Sequence, residues 1–409
     1  MKKSWLSICL LNFFIAALMG LLLRYMYVSP FEWINYQFLL HGHSHIAMLG
    51  WVYMMLFCFI VHFYIPKEVQ QKPIYNRLFW VTEIAVIGMM IRFPIEGYAL
   101  LSIVFSTLHI FCSYYFCWLV WRNSKPSSPP ERLLLRTALF FMLLSTCGVW
   151  CLGPAVGILG KASAFYQIAI QFFLHFQFNG WFIFAVLTLF LHQLKAEINE
   201  NQFRLFYNLL VASTFLTLAL PVSWYIDNLI FYWINCLGVI LQLGAFLIFI
   251  KMLKPHFETF FSALKSIEKI IYGFALFSLA LKIGIQLVVL VPGLDQVSHQ
   301  VRNFVIGYIH LIMLGIITGF LFGFKLRNNF MNEKSKWVNW GLKLFLLGFI
   351  STEILLFVQG GYFFFEKGPL PMYHEILFIA SIGLPAGILM LLIGKIVYKS
   401  KFAENHKLF

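Results

Sequence analysis

Long apolar stretches recur along the whole chain, and no other feature limits its possible folds as strongly. The 409 residues are 61% hydrophobic and only 11% charged, whereas a soluble domain has roughly 25% charged residues. A helix of about 20 apolar residues crosses the hydrocarbon core of a bilayer. The pattern therefore predicts an all-α integral membrane protein with twelve transmembrane helices. The predicted spans lie near residues 5–28, 36–65, 77–97, 98–121, 133–157, 164–192, 203–225, 229–253, 266–292, 299–325, 337–360 and 374–398.

Lysine and arginine are concentrated in alternate loops. The opposite set of loops holds only five basic residues: Arg24, Arg92, Lys161, Arg302 and Lys367. Because cytoplasmic loops carry the excess of basic residues, we expect a multi-pass protein of the cytoplasmic (inner) membrane with both termini in the cytoplasm. The net charge of +14 then reflects topology, and no nucleic-acid partner is expected. The first apolar run lacks a clear cleavage site, so we interpret it as a retained span rather than a signal peptide.

A short motif recurs three times at nearly equal intervals. The second predicted span contains HSHIAMLGW, the sixth contains FLHFQFNGW and the tenth contains YIHLIMLGI. In each copy a histidine precedes a glycine by five residues: His45 and Gly50, His175 and Gly180, and His310 and Gly315. Repeats of this kind indicate repeated architecture. We therefore predict a single membrane domain of three pseudo-symmetric four-helix arcs, covering approximately residues 1–125, 126–260 and 261–409.

The repeated histidines point to a cofactor site. Ionisable residues inside a membrane are rare and usually functional, and neutral imidazole is the commonest biological metal ligand. A hydrogen bond between helices is the alternative explanation for any single one of them. Their recurrence at one position of the repeat favours ligands, so we predict metal ligation by His45, His175 and His310, and by His43 beside His45.

His43 and His45 are two residues apart, which on a helix is about 200° around the axis. They therefore cannot chelate one ion together, as histidines four residues apart can. Each can face a different large cofactor on its own side of the helix. This geometry suits two planar haems that flank one helix, or a haem and a separate metal ion.

The stretch HSHIAMLGWVYMMLFCFIVHFYIP resembles the His-x-His-x-x-x-Leu-Gly-Trp helix of the cbb-type catalytic subunit in the haem-copper oxidase superfamily. That superfamily has twelve helices in three pseudo-symmetric arcs. The resemblance implies that His45 binds a low-spin haem, with His175 or His310 opposite it, and that His43 binds a high-spin haem. It implies one or two haems, of b-type, and leaves copper open. The expected partners are membrane lipid, a diatomic gas and a quinol or cytochrome electron donor.

Several features depart from the oxidase pattern. The His-x-His motif lies in the second span instead of the tenth, where Tyr308 occupies the place of the first histidine beside His310. The seventh span has no histidine, whereas the oxidase copper site uses an adjacent pair there. The early motif and short chain are more similar to the NnrS family of twelve-helix haem- and copper-containing proteins, which are associated with nitric-oxide stress. Handling of nitric oxide is therefore favoured over oxygen reduction, with membrane electron transfer as a related expectation.

Outer-side cations are expected to pair with haem propionates, because buried carboxylate charges need compensation. Arg302, eight residues before His310, is the first choice, and Arg92 is a second; contact with lipid headgroups is the alternative. His41 is expected to cap the outer end of the site or to touch a propionate, with ligation as the alternative. Three further histidines are candidates either as copper ligands or as simple interfacial residues: His109, His299 and His374. Three charged residues fall within spans and suggest either a proton or substrate path, or a structural ion pair or snorkelling: Glu83, Lys282 and Glu353.

All seven cysteines lie in apolar runs, and none forms a Cys-x-x-Cys or Cys-x-x-Cys-His motif. A disulfide scaffold and covalently attached haem are therefore not expected, and we interpret the cysteines as small apolar packing residues. Two other classes of function stay open at this point. One is a non-enzymatic module that binds haem or copper for sensing, storage or delivery. The other is a secondary transporter, although transporter repeats are usually paired and often inverted.

Overall fold

The computed structural model describes residues 3–29, 31–195 and 197–405, and this part of the chain contains helices and no β-strand. Twelve of its helices are long and apolar enough to cross a membrane, as the sequence predicted. The protein is therefore a multi-pass, all-α membrane protein. The spans, labelled α1 to α12 in chain order, are Ser4–Tyr25, Tyr36–Tyr64, Pro73–Glu96, Leu100–Asn123, Pro129–Ile158, Ala164–Leu194, Glu200–Ser223, Leu229–Ser262, Ser266–Val288, Arg302–Arg327, Lys336–Phe364 and Tyr373–Lys395.

Short polar side chains set several helix starts. Asn35 accepts a hydrogen bond from the backbone amide of Phe38 at the start of α2. Ser163 accepts one from the amide of Tyr166 at the start of α6, and Asn199 accepts one from the amide of Gln202 at the start of α7. Each cap satisfies an amide that has no partner inside its helix. The helix boundaries therefore follow from local sequence, while the connecting loops are too short for a soluble domain.

The chain divides into two compact units. Unit one comprises residues 1–125 and 321–409, so it contains α1 to α4, the end of α10, and α11 and α12. Unit two comprises residues 126–320 and contains α5 to α9 and most of α10. The three arcs expected from the repeat, at approximately 1–125, 126–260 and 261–409, stay a prediction.

Stacked aromatic rings form the core of unit one. Trp5 of α1 stacks on Phe79 of α3, with ring centroids 4.7 Å apart. Phe13 of α1 stacks on Trp51 of α2 at 4.4 Å. Such pairs add roughly 0.5–1.5 kcal/mol to the gain from burial. Many other large apolar side chains are exposed on the outer helix faces, among them Leu100 at 76%. In a multi-pass protein these faces contact membrane lipid.

Helices α11 and α12 approach each other closely through glycines. A Cβ atom added at Gly387 would lie 2.6 Å from the carbonyl oxygen of Gly341, and one added at Gly383 would lie 3.0 Å from the Cα of Gly348. Small residues allow membrane helices to pack with their backbones in contact, which is a main source of helix association in lipid. This crossing is therefore a fixed packing point of unit one.

Gly387→Ala is expected to destabilise the protein by about 1–3 kcal/mol, because the new methyl group forces the two backbones apart. Gly361→Ala on α11 is the matched control, since no atom lies within 4 Å of a Cβ built there. Thermal unfolding in detergent, followed by tryptophan fluorescence, measures both variants. Equal melting temperatures for the two would contradict the packing assigned to this crossing.

Candidate functional site

A π-helical segment directly follows each of the three repeated histidines. The segments are Ile46–Tyr53 in α2, Phe176–Phe182 in α6 and Leu311–Thr318 in α10. Each begins one residue after His45, His175 or His310. A π-helix is rare, and short π segments within α-helices are frequent at functional sites. The sequence repeat therefore has a structural counterpart that the spacing of histidine and glycine did not reveal.

Neighbouring groups support the altered hydrogen bonding of these segments. The side-chain amide of Asn12 in α1 donates to the carbonyl oxygen of Gly50 at 3.1 Å. The Thr318 hydroxyl donates to the carbonyl of Met313, five residues earlier, at 2.8 Å. The glycine of each motif lies inside its π segment, and at Gly180 a Cβ atom would lie 2.6 Å from the ring of Phe141. The glycines thus admit close neighbours where the helix changes register.

The three histidine-bearing helices are also the most enclosed of the twelve. In the most apolar 18-residue stretch of α2, α6 and α10, the buried share is 78%, 83% and 61%. In the same stretch of the other nine spans it is 33–50%. The repeated histidines therefore lie on interior helices rather than on lipid-facing ones.

His45 has a defined neutral tautomer. Its Nδ1 lies 2.9 Å from the backbone carbonyl oxygen of His41. A carbonyl oxygen only accepts, so Nδ1 must carry the hydrogen, and the lone pair of the neutral ring lies on Nε2. Metal-binding histidines typically donate their other ring N–H to a carbonyl or carboxylate in this way. The His45 ring also stacks on Phe93 of α3, with centroids 4.2 Å apart, which fixes its orientation.

His43 has the same tautomer but faces a different helix. Its Nδ1 lies 2.8 Å from the carbonyl oxygen of Ala16 in α1, so Nε2 again has the lone pair. The ring packs against Gly20, where a Cβ atom would lie 2.8 Å from His43 Cε1. His43 therefore contacts α1 while His45 contacts α3. The two imidazoles lie on different sides of α2, as the two-residue spacing predicts.

His109 of α4 is a buried residue that sequence reasoning treated as a secondary candidate or an interfacial histidine. It is 3% exposed, packs edge-on against the Tyr53 ring at 4.6 Å, and lies within electrostatic range of His45. Among the described residues its Nε2 has no hydrogen-bond partner. A buried polar atom without a partner is costly. His109 is thus a buried residue near His45 in unit one, and its role as a ligand or as an interfacial residue stays a prediction.

Aromatic rings line the same region. Phe93 packs edge-on against Tyr98 at 5.0 Å, and Tyr98 packs against His41 at 4.7 Å. His41 thus lies one turn before His45, supplies the carbonyl that sets the His45 tautomer, and contacts the same aromatic pair. Aromatic walls of this kind suit a large, flat ligand.

The predicted propionate partners have other contacts. Arg92 forms a paired interaction with Glu96, with Nη2–Oε2 at 3.0 Å and Nε–Oε1 at 3.4 Å. A propionate would have to share the Arg92 guanidinium with the Glu96 carboxylate. Arg302 is exposed at the start of α10. Arg24 of α1 donates to the Ser381 hydroxyl and lies in the field of Glu353. The role of Arg92 and Arg302 beside a cofactor stays a prediction.

In unit two, His175 holds a different position from His45. Its Nε2 lies 2.7 Å from the backbone carbonyl oxygen of Thr214 in α7, so this ring has its hydrogen on Nε2 and its lone pair on Nδ1. A haem iron would reach His175 through Nε2 only after that bond breaks. His310 and Tyr308 lie on the turn of α10 before its π segment and are both half-buried. Ligation by these residues stays a prediction, with His175 the least prepared.

A small cavity of about 40 Å³, with mostly apolar walls and a few polar groups, also lies in unit two. Asn179, Gln242 and Lys282 line it, and Lys282 donates to Gln286 at 2.8 Å. The side-chain oxygens of Asn179 and Gln242 have no hydrogen-bond partner among the described residues. The cavity has room for ordered water that would satisfy these oxygens. Lys282 is therefore a buried, hydrogen-bonded residue beside this cavity rather than a lipid-facing residue.

The remaining candidates have aromatic or amide neighbours. His299 stacks on Trp224 at 4.8 Å, and partial burial there lowers the pKa of its imidazole. His374 stacks on Tyr27 at 4.9 Å. The carboxylate of Glu83 accepts a hydrogen bond from Asn12 at 3.0 Å. These contacts give each residue a structural role that needs no metal.

Across residues 3–29, 31–195 and 197–405, no three histidine, cysteine, aspartate or glutamate side chains come together as a potential metal site. A haem needs only an axial imidazole, so this observation bears on multi-ligand ions alone. No family model matches the chain, and no curated protein matches its sequence. The functional interpretation therefore depends on the residues themselves.

Proposed function

We propose that this protein is a haem-binding integral membrane protein of the haem-copper oxidase type. In this proposal it handles a diatomic gas, with nitric oxide favoured over oxygen, or transfers electrons within the membrane. His45 is the axial ligand of a low-spin haem, and His43 is the ligand of a second, open haem. The alternative is a non-enzymatic haem or copper module for binding, sensing or delivery.

The arrangement of His43 and His45 is the observation that carries the proposal. Both rings donate Nδ1–H to a backbone carbonyl, at 2.8 and 2.9 Å, and so present the Nε2 lone pair. Nε2 is the nitrogen farther from the side-chain stem, and a bulky planar macrocycle can approach it without meeting the histidine's own backbone. The fixed tautomer and ring orientation prepare each imidazole for an iron. Their placement on two sides of α2 suits two macrocycles better than one.

The residues around His45 support the proposal of a haem. Phe93 and Tyr98 supply aromatic contacts beside the imidazole, and the buried Nε2 of His109 lacks a partner among the described residues. When bound, a five-coordinate haem supplies an open position for a gas and a six-coordinate haem supplies one-electron transfer. The protein's own contribution is to hold neutral imidazoles, exclude water from an apolar interior and fix the orientation of the rings.

The sequence of α7 favours nitric oxide over oxygen in this proposal. Oxygen reduction in the resembled superfamily uses copper held by several imidazoles, including an adjacent pair. This chain contains no adjacent histidine pair, and α7 has no histidine. Binding of nitric oxide requires only an open iron and a dry pocket, and a haem held by His43 alone would meet the first requirement.

The visible spectrum of the purified protein tests the proposal. We expect a reduced spectrum with a sharp low-spin band, and a partial Soret shift when carbon monoxide or nitric oxide is added. Such a response requires one six-coordinate and one open haem. A six-coordinate spectrum that gases leave unchanged would favour the electron-transfer or binding alternative. Absence of haem from protein expressed with excess haem precursor would overturn the proposal.

The membrane orientation is part of the proposal and has its own test. The loop at residues 122–132 is rich in basic residues, so we expect it in the cytoplasm. In intact cells an impermeant maleimide should label Gln300→Cys and leave Ser127→Cys unlabelled; both positions are exposed. The unmodified chain measures background from its own cysteines. External labelling of Ser127→Cys would reverse the orientation and the proposed outer location of the histidines.

A further inference from the structure

A buried cluster in unit one lies apart from the histidines. Cys9 of α1 and Cys58 of α2 are fully buried, and their sulfur atoms are 3.8 Å apart. Lys325, near the end of α10, is 1% exposed and lies within electrostatic range of both thiols. Cys58 is thirteen residues beyond His45, which is roughly 20 Å along a helix. The cluster is therefore separate from the candidate haem ligands.

Lys325 is the residue that makes this cluster unusual. Its Nζ has no hydrogen-bond partner among the described residues. A buried ammonium group is costly unless a negative charge or several acceptors compensate it. Two neutral thiols supply no charge, and a disulfide would supply none either. The cluster as a whole therefore favours a ligand that makes the two sulfur atoms anionic.

We propose that Cys9, Cys58 and Lys325 form a binding site for a single Cu(I) ion. The ion displaces one proton from each thiol, so two S–H bonds break and two Cu–S bonds form. No electron is transferred. The product has two thiolates and one monovalent cation, and its single negative charge is balanced by the Lys325 ammonium group. The two released protons go to water. The metal–thiolate group and the Lys325 ammonium group are then neutral as a pair, with Lys395 as a further cation in the field of Lys325.

The donor set selects this ion over the alternatives. Thiolate is a soft ligand that prefers Cu(I) and zinc to hard cations. A structural zinc site needs four ligands, and no group of three such side chains occurs among the described residues. Zinc bound to two thiolates would form a group without net charge, which would leave the Lys325 ammonium group uncompensated, whereas the Cu(I) group carries one negative charge. The Sγ–Sγ separation of 3.8 Å is less than two metal–thiolate bonds of about 2.3 Å. One ion can therefore bind both sulfur atoms after small side-chain rotations.

The site lies close to one end of its helices. Cys9 is five residues from the start of α1 at Ser4, and Cys58 is six residues from the end of α2 at Tyr64, which is about 8–9 Å of depth. Lys325 is two residues before the end of α10. In the proposed orientation this end faces the cytoplasm, where thiols are kept reduced. A short path therefore connects the two thiols with the compartment that suits a thiolate-bound Cu(I) ion.

Glu83 is the other charged group in the field of Cys9. Its carboxylate accepts a hydrogen bond from Asn12. An ionised Glu83 would repel the anionic Cu(I)–thiolate group, so it opposes binding rather than supplying a ligand. Replacing it should leave the affinity for Cu(I) unchanged or higher. This expectation separates a thiolate site from one built on a carboxylate.

The experiment is anaerobic titration of the purified full-length protein with Cu(I) in competition with the chromogenic chelator bicinchoninate. We expect one Cu(I) to bind per chain, and Cys9→Ala and Cys58→Ala to lose it. Cys112→Ala, at a buried cysteine in the same unit, should retain it. Lys325→Met should weaken binding by about tenfold or more, because it removes the compensating charge. Glu83→Gln should not weaken it. Tryptophan-fluorescence melting verifies that each variant is folded.

Copper X-ray absorption of the unmodified protein keeps the proposal testable if a cysteine variant fails to fold. A first shell of sulfur donors supports the site. A shell of only nitrogen and oxygen donors overturns it, as does full retention of Cu(I) by Cys9→Ala. Intact mass lower by two hydrogens, together with no uptake of Cu(I), would instead show a disulfide and also overturn it. None of these outcomes depends on haem content. The copper site can therefore be overturned without the proposed haem function, and the reverse also holds.

Discussion

His45→Ala should abolish the low-spin band of the reduced protein and remove one equivalent of haem. The His45 ring is oriented by the bond from Nδ1 to the His41 carbonyl and by the stacked Phe93 ring. Alanine supplies no ligand, and a six-coordinate iron that loses an axial imidazole loses its low-spin spectrum. Pyridine haemochrome quantification and the reduced-minus-oxidised spectrum measure haem content and spin state.

His62→Ala is the matched control for this prediction. His62 lies on the same helix as His45 but near its far end, next to Phe63 and Phe330. The His62→Ala variant should leave the low-spin band unchanged. His175→Ala and His310→Ala, tested in parallel, report which other histidine the low-spin spectrum requires. A low-spin band of full intensity in His45→Ala would refute the assignment of this ligand.

The twelve helices were predictable from the sequence because a membrane span has a simple requirement. Every backbone group inside the bilayer must be bonded within the helix, so length and apolar composition alone mark each span. The enclosed positions of α2, α6 and α10 were not predicted, because α1 and α12 are more apolar than these three helices and yet less buried. Composition marks a span but does not show which spans the other helices surround.

The π segments could not be predicted in the same way. The motif fixed the five-residue spacing of His45 and Gly50, but an α-helix accommodates that spacing as well as a π-helix does. The switch from α-helical to π-helical hydrogen bonding involves groups on other helices, such as the Asn12 amide of α1 that donates to the Gly50 carbonyl. Asn12 is 38 residues away in the chain. Single-sequence reasoning has no access to such a pairing.

The cysteines show the same limit. Each one in an apolar run was reasonably interpreted as a small packing residue. The closeness of Cys9 and Cys58, which are 49 residues apart in sequence, arises only when α1 packs on α2. The burial of His109 against Tyr53 is a second example. Both depend on tertiary contacts that neither spacing nor composition encodes.

The open haem proposed at His43 should bind nitric oxide but should not support rapid reduction of oxygen. Oxygen reduction in the resembled superfamily needs a second metal beside the open haem, held by about three imidazoles, so that the O–O bond is attacked from both sides. In this chain the available groups are His43, Tyr308 and His310, with His109 or His374 as additional candidates. We therefore expect at most one weakly held copper ion near the histidines, and little or no four-electron turnover.

Oxygen-electrode and nitric-oxide-electrode assays on one preparation, together with metal analysis, test this expectation. Copper should be counted in the Cys9→Ala variant, so that an ion bound by the Cys9 and Cys58 thiols is not attributed to a histidine site. His43→Ala is the matched spectral control: it should abolish the Soret shift caused by nitric oxide and preserve the low-spin band that depends on His45. Stoichiometric copper in the Cys9→Ala variant, combined with rapid and cyanide-sensitive oxygen uptake, would instead identify a terminal oxidase. That outcome would require a copper site assembled without an adjacent histidine pair, because the sequence contains none.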